Sequence, residues 1–181
     1  MRRISSITSV SVVVILLLTG MFSQLIKICG LSGGFVWLAN SFGIRGGLFV
    51  AFTFLATCIV STATGSSIGT MFIAFPIFYP AGLILGANPM WMAGCIVSGA
   101  VFGDNLAPIS DTTIASSSTQ QFHDGRPADI GGVVSSRVQY SAVAGLITIV
   151  FVAIVGGIGG TYQGGEIDAV SNPTTLVMLL P

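Results

Sequence analysis

Between Gly46 and Phe122 the chain carries only two charged residues, Asp104 and Asp111. An average soluble domain contains about 25% charged residues. This chain of 181 residues contains 7%, and 52% of its residues are hydrophobic. Its formal net charge is zero, so it lacks the basic surface that binds nucleic acid. The composition excludes a soluble globular domain, a disordered chain and a nucleic-acid binder. It predicts a multi-pass membrane protein whose partner is membrane lipid.

Several apolar segments are long enough to cross a bilayer core of about 30 Å. We expect an all-α integral membrane fold, with residues 1–181 forming a single membrane domain. The connection over residues 30–45 is expected to hold at most a short interfacial piece, and a polar loop that includes Arg137 is expected before the last full span. The expected spans cover approximately residues 7–28, 46–63, 68–86, 89–121 and 138–158, with a truncated span from residue 174.

Two apolar segments are too long for a simple span. As single helices, residues 46–85 would be about 60 Å long and residues 89–121 about 50 Å. The first is interrupted by hydroxyl-rich residues at 61–70, and the second is interrupted near residues 104–110, which include Pro108. Unwound backbone at membrane depth is stable only against protein or a water-filled cavity. We therefore expect the two interruptions to meet, as discontinuous helices do in secondary transporters.

The basic residues favour a hairpin over residues 46–86. In a hairpin, four of them share one side of the membrane and two lie on the other: Arg2, Arg3, Arg126 and Arg137 against Lys27 and Arg45. One broken crossing would leave only Arg2 and Arg3 opposite the other four. The positive-inside rule thus favours the hairpin, with the N-terminus on the cytoplasmic side of the cell membrane.

The two aspartates are the candidate chemical groups of this chain. No Lys, Arg or His lies between residues 46 and 122 to neutralise them. A carboxylate inside a membrane is costly unless it is paired, protonated or bound to a cation. A proton and a metal cation would compete for the same oxygens, which is the physical basis of cation/proton exchange. A structural interpretation stays open, in which Asp111 caps a half-helix and Asp104 ends the preceding one at a polar loop.

The neighbouring side chains suit a hard cation such as Na⁺, which prefers oxygen ligands. Neither interruption contains Cys or His, which argues against zinc or copper. No cofactor is expected beyond Na⁺ and H⁺ as transported ions. The sequence shows no nucleophile–base pair and no nucleotide loop, so no enzyme activity is expected. The candidate ligands are Asp104, Asn105, Ser110, Asp111, Thr112 and Thr113 in the second interruption and Thr64, Ser66, Ser67 and Thr70 in the first.

The second interruption resembles a known family signature. Residues 103–113, G-D-N-L-A-P-I-S-D-T-T, resemble the G-D-x-x-S-P-x-S-D-T-T signature of NhaC-type sodium/proton antiporters. Residues 64–70, T-G-S-S-I-G-T, resemble the T-G-T-S-W-G-T segment of the same family. The chain departs from these patterns at Ala107, where the family commonly has Ser, and at Ile68, where Trp is common.

The resemblance implies Na⁺(Li⁺)/H⁺ antiport, with Asp104 and Asp111 as cation and proton carriers. It also implies that the chain is one half of an inverted-repeat transporter, which needs a second half or a homo-oligomeric partner and is not expected to transport alone. Two alternatives stay open at this point. One is a Na⁺- or H⁺-coupled carrier of a small organic solute, a carboxylate or an amino acid. The other is a non-transporting membrane remnant.

Overall fold

The computed structural model describes residues 7–121, 123–161 and 173–175. Over these residues the chain forms helices and no strand, which confirms the all-α prediction. The helices are α1 (Ile7–Cys29), α2 (Leu31–Ser41), α3 (Gly47–Thr64), α4 (Ser67–Ile84), α5 (Pro89–Leu106), α6 (Asp111–Thr119) and α7 (Ile130–Val155). The expected truncated span from residue 174 lies almost entirely outside the described residues.

Helices α3 and α4 form an antiparallel hairpin. Gly65 ends α3 in the left-handed conformation, with φ 65°, which glycine adopts without a Cβ clash. Ser66 then caps α4 by accepting a hydrogen bond from the Gly69 N–H. At the far end of the hairpin, the Gly46 N–H donates to the Leu85 carbonyl at 2.9 Å. We call Gly65–Ser66 the hairpin tip.

Helices α5 and α6 form one broken element, bent by 42°. Asn88 caps α5 through its side chain, and Pro89 stands in the first turn, where its missing N–H has no helical partner to lose. Pro108 removes the N–H that would bond to the Asp104 carbonyl, so the helix stops at Leu106. Ser110 then caps α6. We call Ala107–Ser110 the break.

The other ends of the helices gather opposite the hairpin tip. The Asn88 N–H donates to the Gly156 carbonyl at 3.0 Å, and the Asn88 side-chain amide donates to the Ile158 carbonyl at 2.8 Å. A Cβ on Gly160 would overlap the Gly86 carbonyl, so the chain can only pass there as glycine. We call this cluster around Gly46, Leu85, Asn88 and Gly156 the anchored end. It fixes the start of α5 against the end of α7.

The buried core lies between α3, α4 and α5, with α2 against it. Phe49, Phe54, Met92 and Ile96 are almost fully buried there. Phe35 of α2 packs its ring 4.8 Å from that of Phe78 in α4. Helix α7 covers α3 along one side but exposes most of its apolar residues, as expected for a surface that faces lipid.

Three of the described helices are each long and apolar enough to cross a membrane: α3, α4 and α7. Five elements qualify if each bent pair counts as one span, since α1 and α2 are bent by 52° and α5 and α6 by 42°. This assessment uses only the length and composition of the helices. The number of such helices agrees with the prediction of a multi-pass membrane protein.

The helix bounds differ from the sequence prediction at two places. Residues 31–41, expected to be a connection, form the helix α2. The last helix begins at Ile130, before the expected start at residue 138, because Asp129 caps it by accepting from the Gly132 N–H at 3.3 Å. Arg137 consequently lies within α7 and not in a loop. Gly131 and Gly132, poor helix formers, hid this start in the sequence.

Candidate functional site

The hairpin tip concentrates hydroxyl groups. The Thr64 and Thr70 hydroxyl oxygens lie 3.1 Å apart, which joins the end of α3 to the first turns of α4. The Thr70 hydroxyl also donates to the Ser66 carbonyl at 2.8 Å, and its side chain is fully buried. Ser66 is exposed and Ser67 is half-buried. Of the four predicted ligands at the tip, the structure therefore links Thr64, Ser66 and Thr70 directly.

The break presents a second group of hydroxyls. Ser110 is buried and accepts from the Thr112 N–H at 3.3 Å, while its hydroxyl oxygen lies 2.9 Å from that of Thr112. Thr113 is fully buried, and its hydroxyl has no hydrogen-bond partner among the described residues. Asp111 is the first residue of α6 and is exposed, as is Asn105 in the last turn of α5. A carboxylate in the first turn also suits the positive end of the helix dipole.

The tip and the break lie side by side. A Cβ built on Gly65 would stand 2.6 Å from Ile109 Cγ1 and 3.3 Å from the Ile109 carbonyl carbon. Only glycine therefore fits at this approach, for reasons of both space and conformation. The structure thus brings the two interruptions together. Among the described residues, no hydrogen bond joins Asp104 or Asp111 to the hydroxyls of the tip.

Asp104 lies in the last turn of α5, directly before the break. Its side chain is half-buried, and its Oδ1 atom is buried with no hydrogen-bond partner among the described residues. Burying a carboxylate oxygen without a partner costs several kcal/mol at the ~2–7 kcal/mol scale of an unpaired polar group. This unpartnered oxygen lies beside the break and sets Asp104 apart from the exposed Asp111. No three His, Cys, Asp or Glu side chains cluster within the described part of the chain.

The acids of the loop between α6 and α7 differ from Asp104. Asp124 is exposed and accepts from the Arg126 Nε at 2.6 Å. Hydrogen bonds from the Arg126 side chain and backbone lower the pKa of the Asp124 carboxyl below its ordinary value. Asp124 is thus an acid that is already paired within the chain.

Sequence reasoning placed Ser61 and Thr62 in the first interruption and Arg137 in a loop, but it did not give their contacts with α5 and α6. Ser61 and Thr62 in α3 donate hydrogen bonds to carbonyls of α5, the Thr62 bond reaching the Gly103 carbonyl at 3.1 Å. Arg137 in α7 donates to the Ser116 hydroxyl of α6 at 2.8 Å. The Gly99-x-x-x-Gly103 spacing was a usable signal for the first contact, because small residues at this spacing permit close helix packing.

An all-helical membrane chain with a helical hairpin and a broken helix meeting at their interruptions is typical of secondary transporters. The model of the Na⁺/H⁺ antiporter family matches residues 6–156 of this sequence. The chain belongs to that family, as the resemblance of its two interruptions predicted. No solved structure matches it.

Individual relatives match shorter segments. A malate-2H⁺/Na⁺-lactate antiporter of Bacillus subtilis is 34% identical over 69% of this chain. The Na⁺/H⁺ antiporter NhaC of Alkalihalophilus pseudofirmus is 43% identical over 36% of the chain, and an uncharacterized Na⁺/H⁺ antiporter of Haemophilus influenzae is 39% identical over 46%. The aligned segments make up 25%, 14% and 18% of these relatives, respectively, so each match covers only part of the relative.

Proposed function

We propose that this chain supplies the cation- and proton-binding half-site of a Na⁺(Li⁺)/H⁺ antiporter. Na⁺ and H⁺ compete for Asp104 and Asp111, and hydroxyl oxygens of the tip and the break complete the cation's ligands. The observation that carries the proposal is the buried, unpartnered Oδ1 of Asp104 beside two interrupted helices. Membership of a Na⁺/H⁺ antiporter family supports the same exchange.

The ligand set follows from the neighbours of the acids. Ser110, Thr112 and Thr113 surround the break, and Thr64 and Thr70 stand at the tip that lies against it. These hydroxyl oxygens carry no charge, so the charge of the site would come from its one or two carboxylates. A monovalent cation can neutralise one carboxylate by binding to it, and a proton can neutralise the same carboxylate by forming an O–H bond. Because Na⁺ and H⁺ need the same carboxylate oxygens, binding of one excludes the other, and this competition couples their movements.

The proposal is tested by exchange in proteoliposomes that contain the chain and any further subunit it requires. A Na⁺ pulse should release protons, recorded with a pH-sensitive dye. Asp104→Asn and Asp111→Asn should each abolish this release while membrane insertion stays normal. Asp124→Asn is the matched control, because Asp124 is an exposed acid already paired with Arg126, and it should exchange normally. Exchange at the wild-type rate by the Asp104→Asn, Asp111→Asn double variant would refute the proposal.

Competition also predicts how the exchange depends on pH. The Na⁺ concentration that gives half-maximal proton release should rise as the pH falls, because protons occupy the oxygens that Na⁺ needs. In the limit of one competing proton, the rise is about tenfold for each pH unit. A half-maximal concentration that stays constant over two pH units would contradict competition at a shared site.

A carrier of a small organic anion coupled to these cations is the second candidate. The B. subtilis relative, matched over 69% of the chain, is named for exchange of malate and lactate with H⁺ and Na⁺. The assay separates the two candidates, since this carrier would exchange Na⁺ for H⁺ only when malate, lactate or a similar carboxylate is present. Proton release by Na⁺ alone would exclude it.

A further inference from the structure

We infer that Thr62, together with Ser61, positions Asp104 by holding the last turn of α5 against α3; the inference rests on the proposed role of Asp104. Neither hydroxyl is needed to cap its own helix. Both lie on the α3 face that meets α5, one turn before the hairpin tip. Their acceptors are the carbonyls of Ala100 and Gly103, one helical turn apart on α5.

The helices approach too closely at this point for ordinary side chains. A Cβ on Gly99 would stand 2.7 Å from both the Phe54 carbonyl and the Thr57 hydroxyl. A Cβ on Gly103 would overlap the Cys58 carbonyl and stand 2.8 Å from Ser61 Cβ. Two glycines four residues apart therefore let the α5 backbone lie directly on α3, and the Thr62 hydroxyl can reach a backbone carbonyl.

The Gly103 carbonyl belongs to the peptide group that leads into Asp104. The Ala107 N–H also donates to it, at 3.1 Å, so Thr62 supplies a second donor to the same oxygen. Beyond this turn, few backbone hydrogen bonds hold the helix, because Pro108 has no N–H to donate and the chain enters the break. Holding the peptide plane before Asp104 thus restricts where its Cβ stands and which directions its carboxylate can take.

The Thr62 hydroxyl has one proton and two acceptors within reach. Its oxygen lies 2.8 Å from the Cys58 carbonyl of its own helix and 3.1 Å from the Gly103 carbonyl of α5. The Thr53 hydroxyl, on the same helix, donates to the Phe49 carbonyl of its own helix at 2.9 Å, and among the described residues it has no bond to another helix. Thr53 and Thr62 therefore form a matched pair, one with the cross-helix bond and one without it.

The experiment measures the position of Asp104 without requiring transport. A hydrophobic carbodiimide forms an adduct with a protonated carboxyl in a membrane, and mass spectrometry locates that adduct at Asp104. Two quantities are recorded in liposomes: the rate of adduct formation without Na⁺, and the Na⁺ concentration that halves this rate. Asp104→Asn shows which adduct belongs to Asp104, and circular dichroism shows that each variant is folded.

Thr62→Val keeps the shape of the side chain and removes its donor. It should change the rate of adduct formation without Na⁺ and raise the half-protecting Na⁺ concentration by about threefold to tenfold, the range of a cross-helix hydrogen bond. Thr62→Ser, which keeps the hydroxyl, should restore both quantities. Ser61→Ala should act in the same direction as Thr62→Val, and Thr53→Val should leave both quantities unchanged.

Two results would overturn the inference. Thr62→Val could match the wild type in both quantities, or Thr53→Val could shift them as much as Thr62→Val does, which would mean a general loosening of α3. If Na⁺ does not slow adduct formation at Asp104 in the wild type, the proposed function is refuted. In that case the rate of adduct formation without Na⁺ still reports whether Thr62 positions the carboxyl.

Discussion

At the scale of single residues, the absence of a side chain matters as much as its presence. Gly65 permits both the left-handed turn of the hairpin tip and the approach of Ile109. Gly103 permits α5 to touch α3 one residue before Asp104. The positions of the candidate ligands therefore depend on the absence of a Cβ atom at these two glycines.

Gly103→Ala should destabilise the chain strongly. The new methyl group would overlap backbone of α3, which cannot move aside as a flexible side chain can, and overpacking of this kind costs about 1–3 kcal/mol. The midpoint of thermal unfolding in detergent measures the loss. Gly94→Ala on the same helix is the control, because a Cβ there meets nothing within 4 Å. Equal midpoints for the two variants would mean that the close approach of α3 and α5 does not exist.

At the scale of the elements, α6 is held less firmly than α5. Thr113 is the only buried residue described in α6, whereas α5 buries six. Arg137 of α7 holds α6 through the Ser116 hydroxyl at 2.8 Å, and the positive guanidinium also suits the C-terminal half of α6. A half-helix with one buried residue is expected to open locally more easily than α5.

Arg137→Gln should therefore loosen α6 selectively. Loss of a hydrogen bond to a charged group corresponds to about tenfold faster local opening, which hydrogen exchange of residues 111–119 reports. Ser116→Ala should have a similar effect, and the double variant should add little to either one. Arg126→Gln, which breaks only an exposed ion pair in the loop, should not alter exchange in α6. Unchanged exchange in Arg137→Gln would show that this contact does not hold the helix.

At the scale of the whole molecule, the ends of the helices gather at two opposite ends of the bundle. The anchored end joins the start of α3, the end of α4, the start of α5 and the end of α7. The loop between α6 and α7 lies at the opposite end of the described chain. The hairpin thus returns to the side from which it starts.

This arrangement predicts which residues share a side of the membrane. Single cysteines at Phe42, Met90 and Ile158, all well exposed near the anchored end, should react with a membrane-impermeant thiol reagent from one side. A cysteine at His123 should react only from the other side. The background requires Cys29, Cys58 and Cys95 to be replaced by alanine. Labelling of Phe42→Cys and Met90→Cys from opposite sides would mean that α3 and α4 form one broken crossing and not a hairpin.

Much of this architecture followed from physical arguments on the sequence. The low charge predicted a membrane protein, and the length of two apolar segments, with their polar interruptions over residues 61–70 and 104–110, predicted that both would break. The contacts of Thr62 and Arg137 did not follow, because they depend on which helix faces lie together. Helical periodicity could not give those faces, since nearly every position in these helices is apolar or small. The roles of Asp104 and Asp111 stay predictions.

The hairpin tip and the break meet well off the centre of the bundle. From the anchored end, α3 reaches them over 18 residues, or about 27 Å, whereas α6 continues beyond them for 9 residues, or about 13 Å. If the helices lie roughly along the bilayer normal, an ion held at Asp104 as proposed would be about twice as far from one aqueous phase as from the other. In the proposed exchange, a transmembrane voltage would then act more strongly on ion movement between Asp104 and the farther phase than on movement between Asp104 and the nearer phase.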